Sequence, residues 1–149
     1  MDEVLQRLQK HRVRYLLIGG QAVRLHGLPR FSMDWDFFIP GRDAQNLTRI
    51  QAALGDVLDA TIEPLGPRGQ NFVQTFQTPW GIVQFHLGAP GLPSFEEAER
   101  RGVWLRNEHG VAVHCVNGAD LLACKQAVNR PQDQLDIQFL QAKQRAGNL

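Results

Sequence analysis

Apolar residues recur along this chain at two spacings, one helical and one alternating, and the places where they switch outline the elements. Val4, Leu5 and Leu8 sit at helical intervals and predict a short amphipathic helix suited to packing. Val13-Arg-Tyr-Leu-Leu-Ile18 reads as a strand running into Gly19-Gly20, after which Gln21 to about Leu25 is helical and stops near His26-Gly27. Leu28-Pro29-Arg30 is a loop, because proline moves its predecessor out of the helical region. Met33 to Ile39 is a second strand, ended by Pro40-Gly41. Asp43 to Leu54 is a helix with Ala44, Leu47, Ile50 and Leu54 on its apolar side.

Further on, Ala60 to Glu63 predicts a short strand and Pro64 to Gly69 a loop. Asn71 to Thr78 and Gly81 to Leu87 are strands, with Thr78-Pro79-Trp80-Gly81 as the turn of a hairpin. Ser94, with Glu97 three residues on, signals a capped helix. Val103 to Arg106 and Val111 to Cys115 flank Asn107-Glu-His-Gly110, a second hairpin. Asn117 caps a helix running to about Asn129, and Pro131 opens a last one, where a missing N–H costs nothing. The order predicts a mixed α/β (α+β) core: a small mixed sheet backed by helices and closed by two C-terminal helices. No repeat or linker interrupts it, so residues 1–149 are expected to form one domain.

Composition narrows the function classes. With 43% hydrophobic and 21% charged residues the chain is of globular type, and a formal net charge of +1 gives no global attraction to polyanions. The nearest approach to a basic patch, Arg100, Arg101 and Arg106, is more simply a solvated helix end and strand. No apolar run reaches the roughly 18 residues of a membrane span, and the N-terminus lacks the apolar core of a signal peptide. Cys115 and Cys124 have neither metal-ligand nor redox spacing and read as reduced core residues, so a cytoplasmic protein is expected.

One stretch resists this assignment. Phe31-Ser-Met-Asp-Trp-Asp-Phe-Phe-Ile39 places two acids inside an apolar strand. Side chains alternate along a strand, so Asp34 and Asp36 share a face roughly 7 Å apart, while Met33, Trp35 and Phe37 take the other. Two carboxylates on one rigid face suit Mg²⁺, a hard cation that takes oxygen ligands and keeps substrate phosphates in its shell. Taken alone, the pair is better accounted for by a half-exposed strand with solvent-facing acids, since Asp-x-Asp is a common spacing. The preceding strand, Gly19-Gly20 and helix tip the balance, since glycine lets backbone N–H groups approach an anion. The pattern is neither a Rossmann fingerprint nor a Walker loop. A phosphate-holding turn followed by a metal-holding strand describes a nucleoside triphosphate bound through Mg²⁺.

Tyr15-Leu-Leu-Ile-Gly-Gly-Gln-Ala-Val-Arg-Leu-His-Gly-Leu-Pro-Arg-Phe-Ser-Met-Asp-Trp-Asp-Phe-Phe-Ile39 resembles the opening of minimal nucleotidyltransferases of the DNA polymerase β superfamily. The shared features are the strand, Gly-Gly, helix and Asp-x-Asp strand, together with Ala22-Val23, His26-Gly27 and Arg30-x-Ser32. Asp120 to Asp136, through Lys125, Arg130, Asp133 and Asp136, resembles the Lys…Arg…Asp-x-x-Asp segment of the branch containing abortive-infection toxin nucleotidyltransferases. The resemblance implies a nucleotidyltransferase fold and transfer of a nucleoside monophosphate (NMP) from a nucleoside triphosphate (NTP) to an acceptor, with RNA, protein and a small molecule as the candidate classes. It implies Mg²⁺, or Mn²⁺, as cofactor. It would put Asp34 and Asp36 on the metal, as the catalytic pair. Gly19 and Gly20 would lie at the triphosphate, with Arg30, Ser32 and Lys125 as further nucleotide contacts. A homodimer or a cognate protein partner, as in a toxin–antitoxin pair, would be compatible with it.

Each assignment has a plainer counterpart. Arg30 and Ser32 also suit a solvated loop, and Lys125 a snorkelling surface lysine. Asp133 and Asp136 more simply tie the last helices to Arg130 or Lys125 than touch substrate. The family's third carboxylate is missing as well. The candidate strand, Gly81-Ile-Val-Gln-Phe-His-Leu87, offers Gln84 and His86 on one face. At an effective dielectric near 20, one unit charge at about 4 Å is worth roughly 4 kcal/mol, about three powers of ten in rate. Activity is therefore expected to be weakened, or lost in a nucleotide-binding or regulatory protein on the same fold. His86, as ligand or base, and Glu63, from the neighbouring segment, are the two candidate replacements.

Overall fold

A computed structural model describes residues 1–149. Helix α1 (Asp2–Lys10) precedes strand β1 (Leu16–Ile18), which passes directly into α2 (Gly19–Leu25). Then come β2 (Asp34–Phe38), α3 (Ala44–Leu54) and the hairpin β3 (Val73–Thr78) and β4 (Gly81–His86). Helix α4 (Phe95–Arg101), the hairpin β5 (Val103–Arg106) and β6 (Ala112–Cys115), and helices α5 (Gly118–Val128) and α6 (Gln134–Arg145) complete the chain. The six strands form one sheet in the order β3-β4-β2-β1-β6-β5. It is mixed, as expected: β2 runs antiparallel to β1 and parallel to β4, and β1 runs parallel to β6.

The alternation along β2 holds from Asp34 onward. Trp35 and Phe37 are buried, while Asp34 and Asp36 on the other face are half-exposed. Beneath the acids lies an aromatic floor. Phe37 contacts Tyr15, Trp35 and Phe85 at ring separations of 5.4, 6.4 and 5.8 Å, and Phe76 extends the chain to Phe85 at 6.0 Å. A fully buried Phe contributes about 2 to 3 kcal/mol of transfer free energy, so this floor holds β2 and β4 in register.

Met33 departs from expectation. It is 67% exposed rather than part of the core. The first pair of the β2–β4 ladder is Asp34 with Ile82, one residue from the hairpin turn, so Met33 has no neighbouring strand to pack beside. Ala60 to Glu63 is not a strand either. The Gln74 side chain accepts from the Glu63 N–H at 2.9 Å and donates to the Glu63 carbonyl at 2.7 Å, standing in for a ladder partner. Pro131 opens a 3₁₀ turn through Asp133, and α6 begins only at Gln134. Ser94 and Asn117 cap their helices as expected, accepting from the backbone N–H groups of Glu97 and Asp120, and Asp43, expected inside α3, caps it instead by accepting from Asn46. No helix is long and apolar enough to cross a membrane.

Candidate nucleotide and metal site

The parallel pairing of β2 with β4 sets Gln84 directly beside Asp36 and His86 beside Phe38. Thus Asp34, Asp36, Gln84 and His86 lie on one face. They line a cleft of about 690 Å³, within the usual range for small-molecule sites. Gly19, Gly20, Arg30, Ser32 and Lys125 also line it, so all of the proposed site residues meet in one place. Glu63 is not among its walls, and no carboxylate arrives from that segment to replace a third acid.

The two glycines are explained by what presses against them. A Cβ on Gly19 would come within 2.4 Å of Asp36 Oδ2, and the residue has φ +72°. A Cβ on Gly20 would come within 2.7 Å of Ser32 Oγ and 3.2 Å of Arg30 Cζ. Glycine is needed here so that the acid, the hydroxyl and the guanidinium can close over the backbone. Gln21, buried although polar, donates to the Ser32 carbonyl at 2.7 Å and accepts from Arg24 Nε at 2.8 Å, which fixes the loop carrying Ser32. The sequence signal for Gln21 was only a polar residue amid an apolar helix.

His86 Nε2 bonds Asp36 Oδ1 at 2.9 Å, which leaves Oδ2 turned towards Gly19. Gln84 Nε2 donates to Thr75 Oγ1 at 3.1 Å. The position expected for a third acid is thus occupied by an amide, with an imidazole already engaged next to it. No three of the His, Cys, Asp and Glu side chains converge as a ready-made metal cage. The donor set present, two carboxylates with the Gln84 amide and a close glycine backbone, fits a Mg²⁺ ion that takes its remaining ligands from water and phosphate.

The cationic wall is committed elsewhere. Lys125, almost fully buried, lies 3.1 Å from both Asp133 Oδ1 and Asp136 Oδ2. Arg130 grips Asp133 through Nε at 2.9 Å and Nη2 at 3.0 Å, and Arg30 pairs with Asp136. Burial alone would raise the Asp133 carboxyl, but hydrogen bonds from Arg130 and Lys125 outweigh it and hold the group well below the usual carboxylate range. Asp133 and Asp136 therefore tie the last helix to α5 and to the Arg30 loop. Burial pushes the thiols of Cys115 (to about 12) and Cys124 upward, which makes them poor nucleophiles.

No protein-family model matches the chain, and no curated protein matches it in sequence. Among solved structures, a crystal structure from Thermotoga maritima, provisionally named a nucleotidyltransferase, aligns at 13% identity with a TM-score of 0.45. The alignment covers 78% of this chain, and the chain spans 62% of that protein's length.

Proposed function

We propose that the cleft binds an NTP together with Mg²⁺, or Mn²⁺, and transfers the NMP group slowly to an acceptor, with pyrophosphate leaving. The observation that carries this reading is the pair Asp34 and Asp36 on one face of β2, both lining the cleft, with Asp36 against the Gly19 backbone and bonded to His86, and neither within ion-pair distance of an Arg or Lys. Two carboxylates on one strand face, beside a glycine backbone that leaves room for phosphate oxygens, match the oxygen-ligand preference of a divalent ion. Asp34 and Asp36 would hold the ion, which when bound supplies charge neutralisation for the triphosphate. Ser32 would donate to a phosphate oxygen, while the glycine backbone leaves room for the phosphates to approach. In the reaction the acceptor hydroxyl oxygen forms a bond to the α-phosphorus, its proton passes to water, and the bond to pyrophosphate breaks.

A second reading, a nucleotide-binding protein without turnover, is favoured by one specific feature: beside Asp36, where the resemblance leads us to expect a third carboxylate, the strand offers Gln84 and His86. The two readings part on chemistry, not on binding. At NTP concentrations about a hundred times Kd, binding stabilises the fold by about 2.7 kcal/mol, a rise in Tm of roughly 5 to 10 °C. We expect that rise only when Mg²⁺ or Mn²⁺ is present, and expect Asp34→Asn with Asp36→Asn to abolish it. Label transfer from α-³²P-NTP would then decide for the enzyme. A wild type that shows neither shift nor transfer overturns both readings.

A further inference from the structure

We infer that the acceptor served by this cleft is an apolar segment of a polypeptide rather than a nucleic acid. The inference rests on the reading of the cleft as a nucleotidyl-transfer site. Its first support is the distribution of exposed apolar side chains. Of nine large hydrophobic residues exposed on the chain, five lie in the wall of this one cleft: Phe31, Met33, Phe72, Val73 and Val128. Phe31 is 81% exposed and Phe72 41% exposed. They come from three separate places, the loop before β2, the start of β3 and the end of α5, so no single loose segment explains the clustering. Clustered exposed apolar surface beside a reaction site marks a binding surface.

The second support is charge. Nucleic-acid binding relies on Lys and Arg that are free to neutralise phosphates. The three Arg and Lys side chains in the cleft wall, Arg30, Lys125 and Arg130, are each already paired with Asp133 or Asp136. Asp34 and Asp36 add two carboxylates that no Arg or Lys balances. A divalent ion and the triphosphate would use those carboxylates and leave no cationic surface for an incoming RNA backbone. Phe31 and Phe72 line the cleft that an acceptor would enter, and apolar side chains flanking a Ser, Thr or Tyr hydroxyl match those walls. A small polar acceptor such as a sugar would bury nothing against them.

The experiment uses the full chain, Mg²⁺ and a non-hydrolysable ATP analogue. Its probes are an array of synthetic 12-residue peptides and a filter-binding assay with mixed transfer RNA. Half of the peptides carry Ser, Thr or Tyr between Leu and Phe residues, and half carry the same hydroxyls between Gly and Glu. We expect the apolar set to be retained and the polar set and the RNA not to be. Losing two apolar anchors should weaken retention by tenfold or more, so Phe31→Ser with Phe72→Ser should lose the peptides. Both side chains are exposed, so the variant should keep the wild-type circular dichroism. Equal retention of both peptide sets, retention of neither, preferential retention of RNA, or peptide binding unchanged in the variant overturns the inference. A nucleotide shift that persists through any of these outcomes leaves the transfer-site reading intact; its absence in the wild type removes that reading instead.

Discussion

At the scale of single residues, the site is built by what the glycines leave out. Gly19→Ala is expected to lose stability by about 1 to 3 kcal/mol, through a left-handed backbone and a Cβ forced against Asp36. Gly69 provides the comparison, since it has φ +65° with nothing within 4 Å of a Cβ. Gly69→Ala should therefore show the backbone cost alone. Urea unfolding of both variants separates the two contributions, and equal losses would mean that the contact with Asp36 carries no energy. Gly19→Ala should also abolish the Mg²⁺-dependent nucleotide shift although both aspartates remain. Sequence alone marked Gly19-Gly20 as a turn where something approaches the backbone. It named a phosphate; the groups that the fold presses there are a carboxylate, a hydroxyl and a guanidinium, and contacts between residues 10 to 17 positions apart leave no local pattern.

At the scale of elements, the buried charges joining α5, the 3₁₀ turn and α6 set both stability and pH response. Asp133 is 1% exposed and receives Lys125 and Arg130, so Asp133→Asn leaves the buried Lys125 with Asp136 alone and the half-exposed Arg130 without its partner, and should cost about 2 kcal/mol at pH 7. The sign of the pH effect follows from the direction of the shift. The carboxyl is held below its unfolded value of about 3.9, so its contribution is complete above that pH and is lost as the pH falls through and below it. Wild-type unfolding free energy should fall between about pH 5 and pH 2 more steeply than that of Asp133→Asn, as followed by urea titration at each pH. Parallel profiles would show that the pairing stores no pH-dependent stability. The Asp-x-x-Asp spacing was enough to suggest a tie between helices, because partners three residues apart share a helical face. Met33 and the 60–63 segment were misread for the opposite reason. Alternation and β-branched residues say that a strand is possible, but a neighbouring strand must exist to pair with it, and tertiary structure alone decides that.

At the scale of the whole molecule, the chemistry depends on a crossover that no local pattern encodes. Strand β4 reaches β2 only after some forty intervening residues, yet their parallel register sets Gln84 level with Asp36. That register makes Gln84→Asp the most informative change in the chain. A third carboxylate beside Asp36 adds one charge where a cation is bound, worth roughly 4 kcal/mol at about 4 Å, so transfer should rise by about two to three powers of ten. The same charge repels Asp34 and Asp36 when no cation is present. The variant should therefore melt below wild type in chelator, recover in Mg²⁺, and show a larger Mg²⁺-dependent rise in Tm than wild type even without nucleotide. The chelator comparison reads the electrostatics of the cleft independently of turnover. If Gln84→Asp melts like wild type with and without Mg²⁺, the amide does not face the metal position. If the Mg²⁺ response grows but transfer stays absent, the cleft holds the ion and nucleotide without catalysis, and the hydrogen bond from His86 to Asp36 becomes the next contact to remove.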